Sequence, residues 1–514
     1  MTAQQAAMPQ QDVIAFLGDP ASHHPAPGQV ERIETHGAVV FLAGPSVYKI
    51  KRAVHYAYMD YSTLEKRHAM CLRELEINRR TAPGIYLDVV AITRETDDAL
   101  AIGGPGTPVE WALHMRRFDQ DALLAAVADA GLLDRDLVKA LAATVAGFHR
   151  AAEPVARAGG AGPMDDIITE LSDAFGEAPD GLERTAFEAP ARKQLALSRV
   201  CLDARARNGH VRRCHGDLHL NNIVLIEGAP VLFDAIEFDD TFATIDTLYD
   251  LAFLVMDMDE RGLRDEANLL LNRYLHHSAA DADLEGLIAL PLFLACRAGI
   301  RAMVTMQRAR LAGAPASSGL IAEAQRYFDA ATGYLDPEPA RLIAVGGLSG
   351  TGKSTLAATL APKFGAAPGA VHLRSDLMRK SLFGAEETER LGQEAYSAEA
   401  TARVYEHLLD KARIALGAGR TVVVDAVFSK PHERGAAEAV AAGLGIPFHG
   451  LWLHAPRDAL MARVGARTGD ASDATADVVA AQLDYDTGEI EWSRVNAGGT
   501  AEQTLHATAD IFVS

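Results

Sequence analysis

Two polar clusters in this 514-residue chain have the residue types and spacing for phosphoryl transfer. The first is Cys214-His215-Gly216-Asp217-Leu218-His219-Leu220-Asn221-Asn222, ahead of the apolar Ile223-Val224-Leu225-Ile226, with a further carboxylate, Asp234, after Val231-Leu232-Phe233. Asp217 is placed to accept a hydroxyl proton, and Asn222 and Asp234 offer hard oxygen ligands for Mg²⁺ on the phosphates of ATP. The second is Gly346-Gly347-Leu348-Ser349-Gly350-Thr351-Gly352-Lys353-Ser354-Thr355, which contains the phosphate-loop spacing of Gly, four residues, Gly-Lys-Ser. Backbone N–H groups from Gly347 through Ser349, Gly350, Thr351, Gly352 and Thr355 can converge on phosphate oxygens. Lys353 reaches the β/γ-phosphates, Ser354 brings its hydroxyl to Mg²⁺, and the following helix points its positive end at the anion.

The first cluster needs a lobe that grips the nucleotide. Alternating apolar residues predict strands over 30–34, 38–42 and 47–51, with turns at 35–37 and 43–46. Lys49 and Lys51 share a face of the third strand with Val47, and an inward lysine calls for an anionic partner. In a kinase reading that partner is a nucleotide phosphate together with a glutamate from the next helix, predicted over 62–80 from its Ser62-Thr63-Leu64-Glu65 capping box; the alternative is an edge strand with solvated lysines. Glu65, Glu74 and Glu76 are the candidates; Glu74 is preferred because it lies well inside the helix beside Leu72 and Leu75. Strands over 86–93 and 111–116 flank a Gly/Pro turn at 103–106, and 115–118 forms a hinge into a mainly helical stretch. Asp250 opens a later helix, where it either caps the backbone of the 214–222 loop or is a plain N-terminal helix acid. Residues 1 to about 11 are expected to be disordered, and a short helix is predicted over 12–17.

Asp336-Pro337-Glu338-Pro339 reads as a linker. Beyond it, strands over 342–345, 371–374, 421–424 and 447–453 alternate with helices, which predicts a parallel sheet with ligand at the strand C-termini. Asp376, Asp425, Arg463 and Arg467 come to that edge. Asp376 can take a proton from an acceptor hydroxyl, Asp425 can hold the metal's water shell, and the two arginines can neutralise the transferring phosphoryl group.

The formal net charge is −20, of which residues 341–514 carry −4 (17 basic, 21 acidic) and the remainder −16. This charge disfavours long nucleic acid as a partner. Four scattered cysteines suggest neither a zinc site nor a disulfide framework and fit a reducing cytoplasm. The N-terminus lacks signal-peptide order. No membrane span is predicted, and the apolar 287–295 stretch is expected to be a buried core helix.

The Asp217, Asn222 and Asp234 pattern resembles the aminoglycoside phosphotransferase-like kinases, a group that includes choline and fructosamine kinases. The resemblance covers about 30–335 and implies Asp217 as catalytic base, Asn222 and Asp234 as Mg²⁺ ligands and Lys49 as the phosphate lysine, with Lys51 as the alternative. No Gly-x-Gly-x-x-Gly is present; Thr35-His36-Gly37 is the candidate phosphate-covering turn. Residues 341–514 are similar to small P-loop kinases of the AAA_33 type, such as gluconate kinase, chloramphenicol phosphotransferase, polynucleotide kinase and zeta-toxin-like enzymes. That likeness implies a substrate-side role for Arg379 and a lid role for the helix bearing Arg463 and Arg467. The expected architecture is a segment 1–29, an α+β protein-kinase-like bilobal domain over 30–335, a linker at 336–340 and an α/β P-loop domain with a parallel sheet over 341–514. The expected function is ATP- and Mg²⁺-dependent transfer to a hydroxyl of a small molecule at two sites. One alternative is a single activity with the other half a regulatory ATP-binding module; another is a P-loop half acting on a polynucleotide or nucleotide sugar.

Overall fold

The computed structural model describes residues 3–56, 59–155, 159–177, 182–311, 316–466 and 471–512. It divides into two compact units, one of residues 1–159 with 209–254, the other of 160–208 with 255–514. This division does not fall at 336–340. The helices after residue 254 pack in the same unit as the P-loop sheet.

In the first unit six antiparallel strands run in the order Val30–Glu34, Ala38–Ala43, Ser46–Lys51, Thr107–Arg116, Tyr86–Arg94, Leu100–Ile102. The helix Leu64–Asn78 starts at Thr63, whose side chain accepts from Lys66 N, and it packs on the sheet. The N-terminal helix is longer than the short one expected over 12–17: it spans Ala3–Gly18, including residues expected to be disordered. Its order has a packing cause. Val13 and Leu17 are fully buried against Val39, Phe41, Ile50 and Ile92, and Gln10 donates to the Lys51 carbonyl at 2.7 Å and to Glu110 at 2.9 Å. The strand Val211–Arg213 leads into the 214–222 loop, and the hairpin Ile223–Ile226 with Ala229–Leu232 follows. Its turn residues Glu227 and Gly228 both have positive φ, as a tight two-residue hairpin requires.

The second unit holds a five-stranded, wholly parallel sheet in the order Val371–Arg374, Val422–Asp425, Leu342–Gly347, Phe448–His454, Ser493–Asn496. Arg374 lies level with Asp425, and Asp425 with Val345, two residues before the end of Leu342–Gly347, so Arg374, Asp425 and the phosphate loop reach one sheet edge. Helices Ala161–Gly176, Arg184–Arg207, Arg264–Ser278, Leu290–Leu311 and Ala316–Tyr334 belong to this unit. The stretch from Asp281 to Arg310 is long and apolar enough by composition to cross a bilayer, but 72% of its most apolar part is buried inside the protein, as expected of a core helix.

Candidate functional site

The first site is built where the six-stranded sheet meets the 214–222 loop. Lys49 Nζ lies 2.8 Å from Glu74 Oε1 and 2.8 Å from Asp234 Oδ1. Glu74 is fully buried, and its other oxygen, Oε2, lies 2.5 Å from Lys51 Nζ. Lys51 pairs in turn with Glu237, which also accepts from the Tyr61 hydroxyl at 3.1 Å. Burial would push the Lys49 ammonium down, but Asp234 and Glu74 outweigh it and hold it well above the ordinary lysine range. Burial likewise works against ionised Glu74, and the two lysines hold it well below the usual carboxylate range. The lysine side chains are 15% and 3% exposed, which leaves Lys49 as the one at the open side.

Asp217 sits part-exposed at the tip of its loop. Asn222 Nδ2 donates to Asp217 Oδ2 and to the Asp217 carbonyl, both at 2.9 Å, and His219 Nε2 lies 3.3 Å from Asp217 Oδ2. Asp250 is buried, and its two oxygens accept from His215 N at 3.0 Å and Gly216 N at 2.8 Å, with His149 Nε2 at 3.1 Å. It therefore caps the loop backbone. Asp234 takes a left-handed φ of 61°. Its N–H donates to the buried Tyr86 hydroxyl at 3.0 Å, and the next N–H, of Ala235, donates to Asn78 Oδ1 at 2.8 Å. Tyr86, Asn78, Glu237 and His149 were not singled out from the sequence. A buried asparagine late in a helix was the one available signal.

In the second unit Gly347, Gly350 and Gly352 all have positive φ. A Cβ on Gly347 would meet the Leu453 carbonyl oxygen at 2.5 Å, and one on Gly350 the Leu460 carbonyl oxygen at 2.8 Å, whereas Gly352 faces open space. The loop thus has close backbone packing behind and room in front, the shape of a phosphate cradle. Lys353 begins the helix Lys353–Leu360, and its Nζ donates to the Leu348 carbonyl at 3.1 Å, folding back over the loop. Gln482 Oε1 accepts from Ser349 N at 2.7 Å, another contact the sequence did not announce. Ser354 and Thr355 follow on the first turn, and Thr351 is buried with its hydroxyl on the Leu348 carbonyl at 2.8 Å.

Asp425 is buried, with Arg374 Nε at 3.7 Å and His372 Nε2 at 3.8 Å. Burial works against its charge, and His372, Lys353 and Arg374 prevail, holding it below the ordinary aspartate range. Asp376 is pushed the other way, raised by burial and then by Asp425. Two neighbouring carboxylates are thus split into one held ionised and one made more basic, a suitable pairing for metal holding and proton acceptance.

Two arginines expected at phosphates or substrate are engaged elsewhere. Arg463 donates to the carbonyls of Ala497 at 2.7 Å, Gly499 at 2.6 Å and Gly350 at 3.4 Å, so it clamps backbone beside the phosphate loop. Arg379 is buried, donates to the Ala395 carbonyl, and lies 4.8 Å over the Tyr396 ring. Arg467 lies outside the described residues.

Residues 84–287 match the Phosphotransferase enzyme family, and residues 342–487 match the AAA domain of the AAA_33 type. Uncharacterized protein Rv2004c of Mycobacterium tuberculosis is 31% identical over 498 residues, covering 94% of this chain and 95% of that protein. Among solved structures, the GDP and kanamycin complex of APH(2'')-IIia aligns with a TM-score of 0.38 at 14% identity, over 59% of this chain and 93% of that one. A gluconokinase from Sinorhizobium meliloti aligns with a TM-score of 0.23 at 22% identity, over 34% of this chain and 90% of that one. The chain belongs to the family of that mycobacterial protein, and it joins a kinase-like phosphotransferase domain to a P-loop, kinase-like domain.

Proposed function

We propose that the protein carries two ATP-dependent phosphotransferase sites, each passing the γ-phosphoryl group to a hydroxyl of a small molecule. The observation that carries this reading is the meeting of Lys49, Glu74 and Asp234, residues far apart in sequence, beside the hydrogen-bonded Asp217–Asn222 pair. In the first site Lys49 would hold nucleotide phosphates, oriented by Glu74, and Asp217 would take the acceptor's proton. Asn222 Oδ1 and the Asp234 carboxylate are an all-oxygen donor set suited to Mg²⁺, which would neutralise phosphate charge when bound. In the second site the loop 347–355 would cradle phosphates, Lys353 would swing from the Leu348 carbonyl to the terminal phosphates, and Ser354 with Asp425 would serve the metal. Asp376, made more basic by its surroundings, would be the proton acceptor. We place the activity in the cytoplasm, without long nucleic acid as a partner.

The test is phosphorylation of a metabolite pool with labelled ATP by wild type, Asp217→Asn and Lys353→Ala. Two product sets, each lost in one variant, are expected. If Lys353→Ala leaves every product in place and only changes their ATP dependence, the P-loop half is a regulatory module instead.

A further inference from the structure

One edge strand of the parallel sheet is Val371–Arg374, and the helix Arg264–Ser278 lies along it. Asn268 Nδ2 donates to the Ala370 carbonyl at 3.0 Å. One turn later Asn272 donates to the same carbonyl at 3.2 Å and accepts from His372 N at 2.7 Å. Four helical residues advance about 6 Å and two strand residues about 6.6 Å, so the two elements stay in step. The next turn therefore brings His276 level with Arg374, at the sheet edge that also holds Asp376 and Asp425.

Arg273 stands in the same turn. One of its terminal nitrogens pairs with Glu387 at 2.6 Å, in the segment that follows Asp376, and the residue is 8% exposed. Its Nε is buried and has no hydrogen-bond partner among the described residues. His277 lies against His276, ring centroids 5.6 Å apart. Burial first, then Arg273 and His277, push the His276 imidazole down to about 4, with Arg374 acting in the same direction and only Glu387 opposing. Two guanidinium groups and two imidazoles thus gather around Glu387, Arg374 also facing Asp425 at 3.7 Å, and the buried Arg273 Nε is left unused. Leaving such a donor unmatched is costly, and an oxyanion would satisfy it.

We propose that Arg273, His276 and Arg374 form an oxyanion subsite for the acceptor of the P-loop half, which makes that acceptor an alcohol bearing a phosphate or carboxylate group. The proposal rests on the P-loop half being a phosphotransferase, and it gives the helix Arg264–Ser278, which lies before the linker, a part in that half's substrate recognition.

The test is a titration of the full-length protein with orthophosphate and, separately, acetate, following the His276 imidazole NMR signal, assigned with His276→Asn. Orthophosphate also suits the phosphate loop, so Lys353→Ala is titrated alongside. The expected result is a saturable shift of the His276 signal in wild type and in Lys353→Ala, with affinity at least tenfold weaker in Arg273→Gln. Glu387→Gln, which removes the competing carboxylate, is expected to bind more tightly, so one variant loses and the other gains. The stronger of the two anions tells phosphate from carboxylate. A His276 signal unmoved by either anion, or moved equally in wild type and Arg273→Gln, overturns the proposal. These readouts need no phosphoryl transfer, so a P-loop half without transfer activity would show separately in the labelled-ATP screen.

Discussion

Lys49 and Lys51, two positions apart on one strand, close on opposite oxygens of the Glu74 carboxylate, at 2.8 and 2.5 Å. The pairs differ in what lies beyond. Lys49 continues to Asp234 at the open side, whereas Lys51 continues to Glu237 and lies 5.4 Å from the Tyr61 ring centroid. Lys49→Met is therefore expected to lower phosphotransfer by the first site at least 100-fold with a small change in Tm. Lys51→Met should act mainly on stability. Removing one partner of a buried ion pair costs about 3–5 kcal/mol, because it leaves a charge uncompensated. Initial rates and thermal melts of both variants check the split; equal loss of rate with unchanged Tm would reverse the assignment.

Asp250 holds two backbone N–H groups of the 214–222 loop from a fully buried position. Asp250→Ala should leave both donors unmatched, at roughly 1–3 kcal/mol each, and should reduce first-site activity through loop disorder. Asp217→Asn, at the part-exposed loop tip, should remove activity at near wild-type stability. Denaturant unfolding of the two variants separates the roles: a large loss of stability in Asp217→Asn, or none in Asp250→Ala, would contradict them.

How far these centres were legible follows from how local they are. Asp217 and Asn222 share one loop, and the phosphate loop is a single turn between a strand and a helix, so their spacing alone carries the chemistry. Lys49 and Glu74 were readable as an inward lysine and a helix glutamate well inside its element. The supports of Asp234 were not readable, because Tyr86 lies 148 residues away and Asn78 reaches the neighbouring Ala235 across 157. Arg463 shows another limit. Helical position put it near the phosphate loop, but its direction is set by the carbonyls of Ala497 and Gly499, on a segment whose path is a tertiary property. Asn268 and Asn272 were not singled out from the sequence, and only the edge strand they pack against gives them their part.

Arg463 is expected to matter before any nucleotide binds. Its donors hold three backbone carbonyls, one of them in the phosphate loop itself. Arg463→Ala should lower the stability of the nucleotide-free protein by about 1–3 kcal/mol. A variant with unchanged nucleotide-free stability and only a weaker ATP affinity would return the residue to a phosphate-neutralising role.

Glu260 offers a pH test away from both centres. Burial, then Asp259, raise its carboxyl to about 7, with the Tyr334 hydroxyl opposing. A carboxyl raised on folding is bound to a proton in the native state while already ionised in the unfolded chain. Its contribution to stability is therefore fully present below the unfolded value near 4.5, falls as pH rises towards about 7, and is absent above it. Glu260→Gln should accordingly melt higher than wild type at pH 8, with the difference closing by pH 4. A wild-type advantage at pH 8 would show that the carboxylate is stabilised in place.

Asp234, the proposed metal ligand, combines a carboxylate paired with Lys49 with a backbone φ of 61°, a conformation that asparagine and aspartate tolerate and most side chains resist. Its N–H is also anchored on Tyr86. Two substitutions separate these demands. Asp234→Asn keeps the backbone preference and loses the charge and its pair with Lys49, so it should cost no more than about 1 kcal/mol while first-site transfer falls by at least 100-fold. Asp234→Ala loses both and should in addition melt lower. Tyr86→Phe leaves the carboxylate intact but removes the acceptor of a part-buried N–H, at about 1 kcal/mol, and it should weaken Mg²⁺ dependence less than Asp234→Asn does. Magnesium titrations of rate together with melts of all three variants decide the matter. If Asp234→Asn kept its activity and Mg²⁺ requirement, Asp234 would be a turn residue and the metal would have to be held elsewhere.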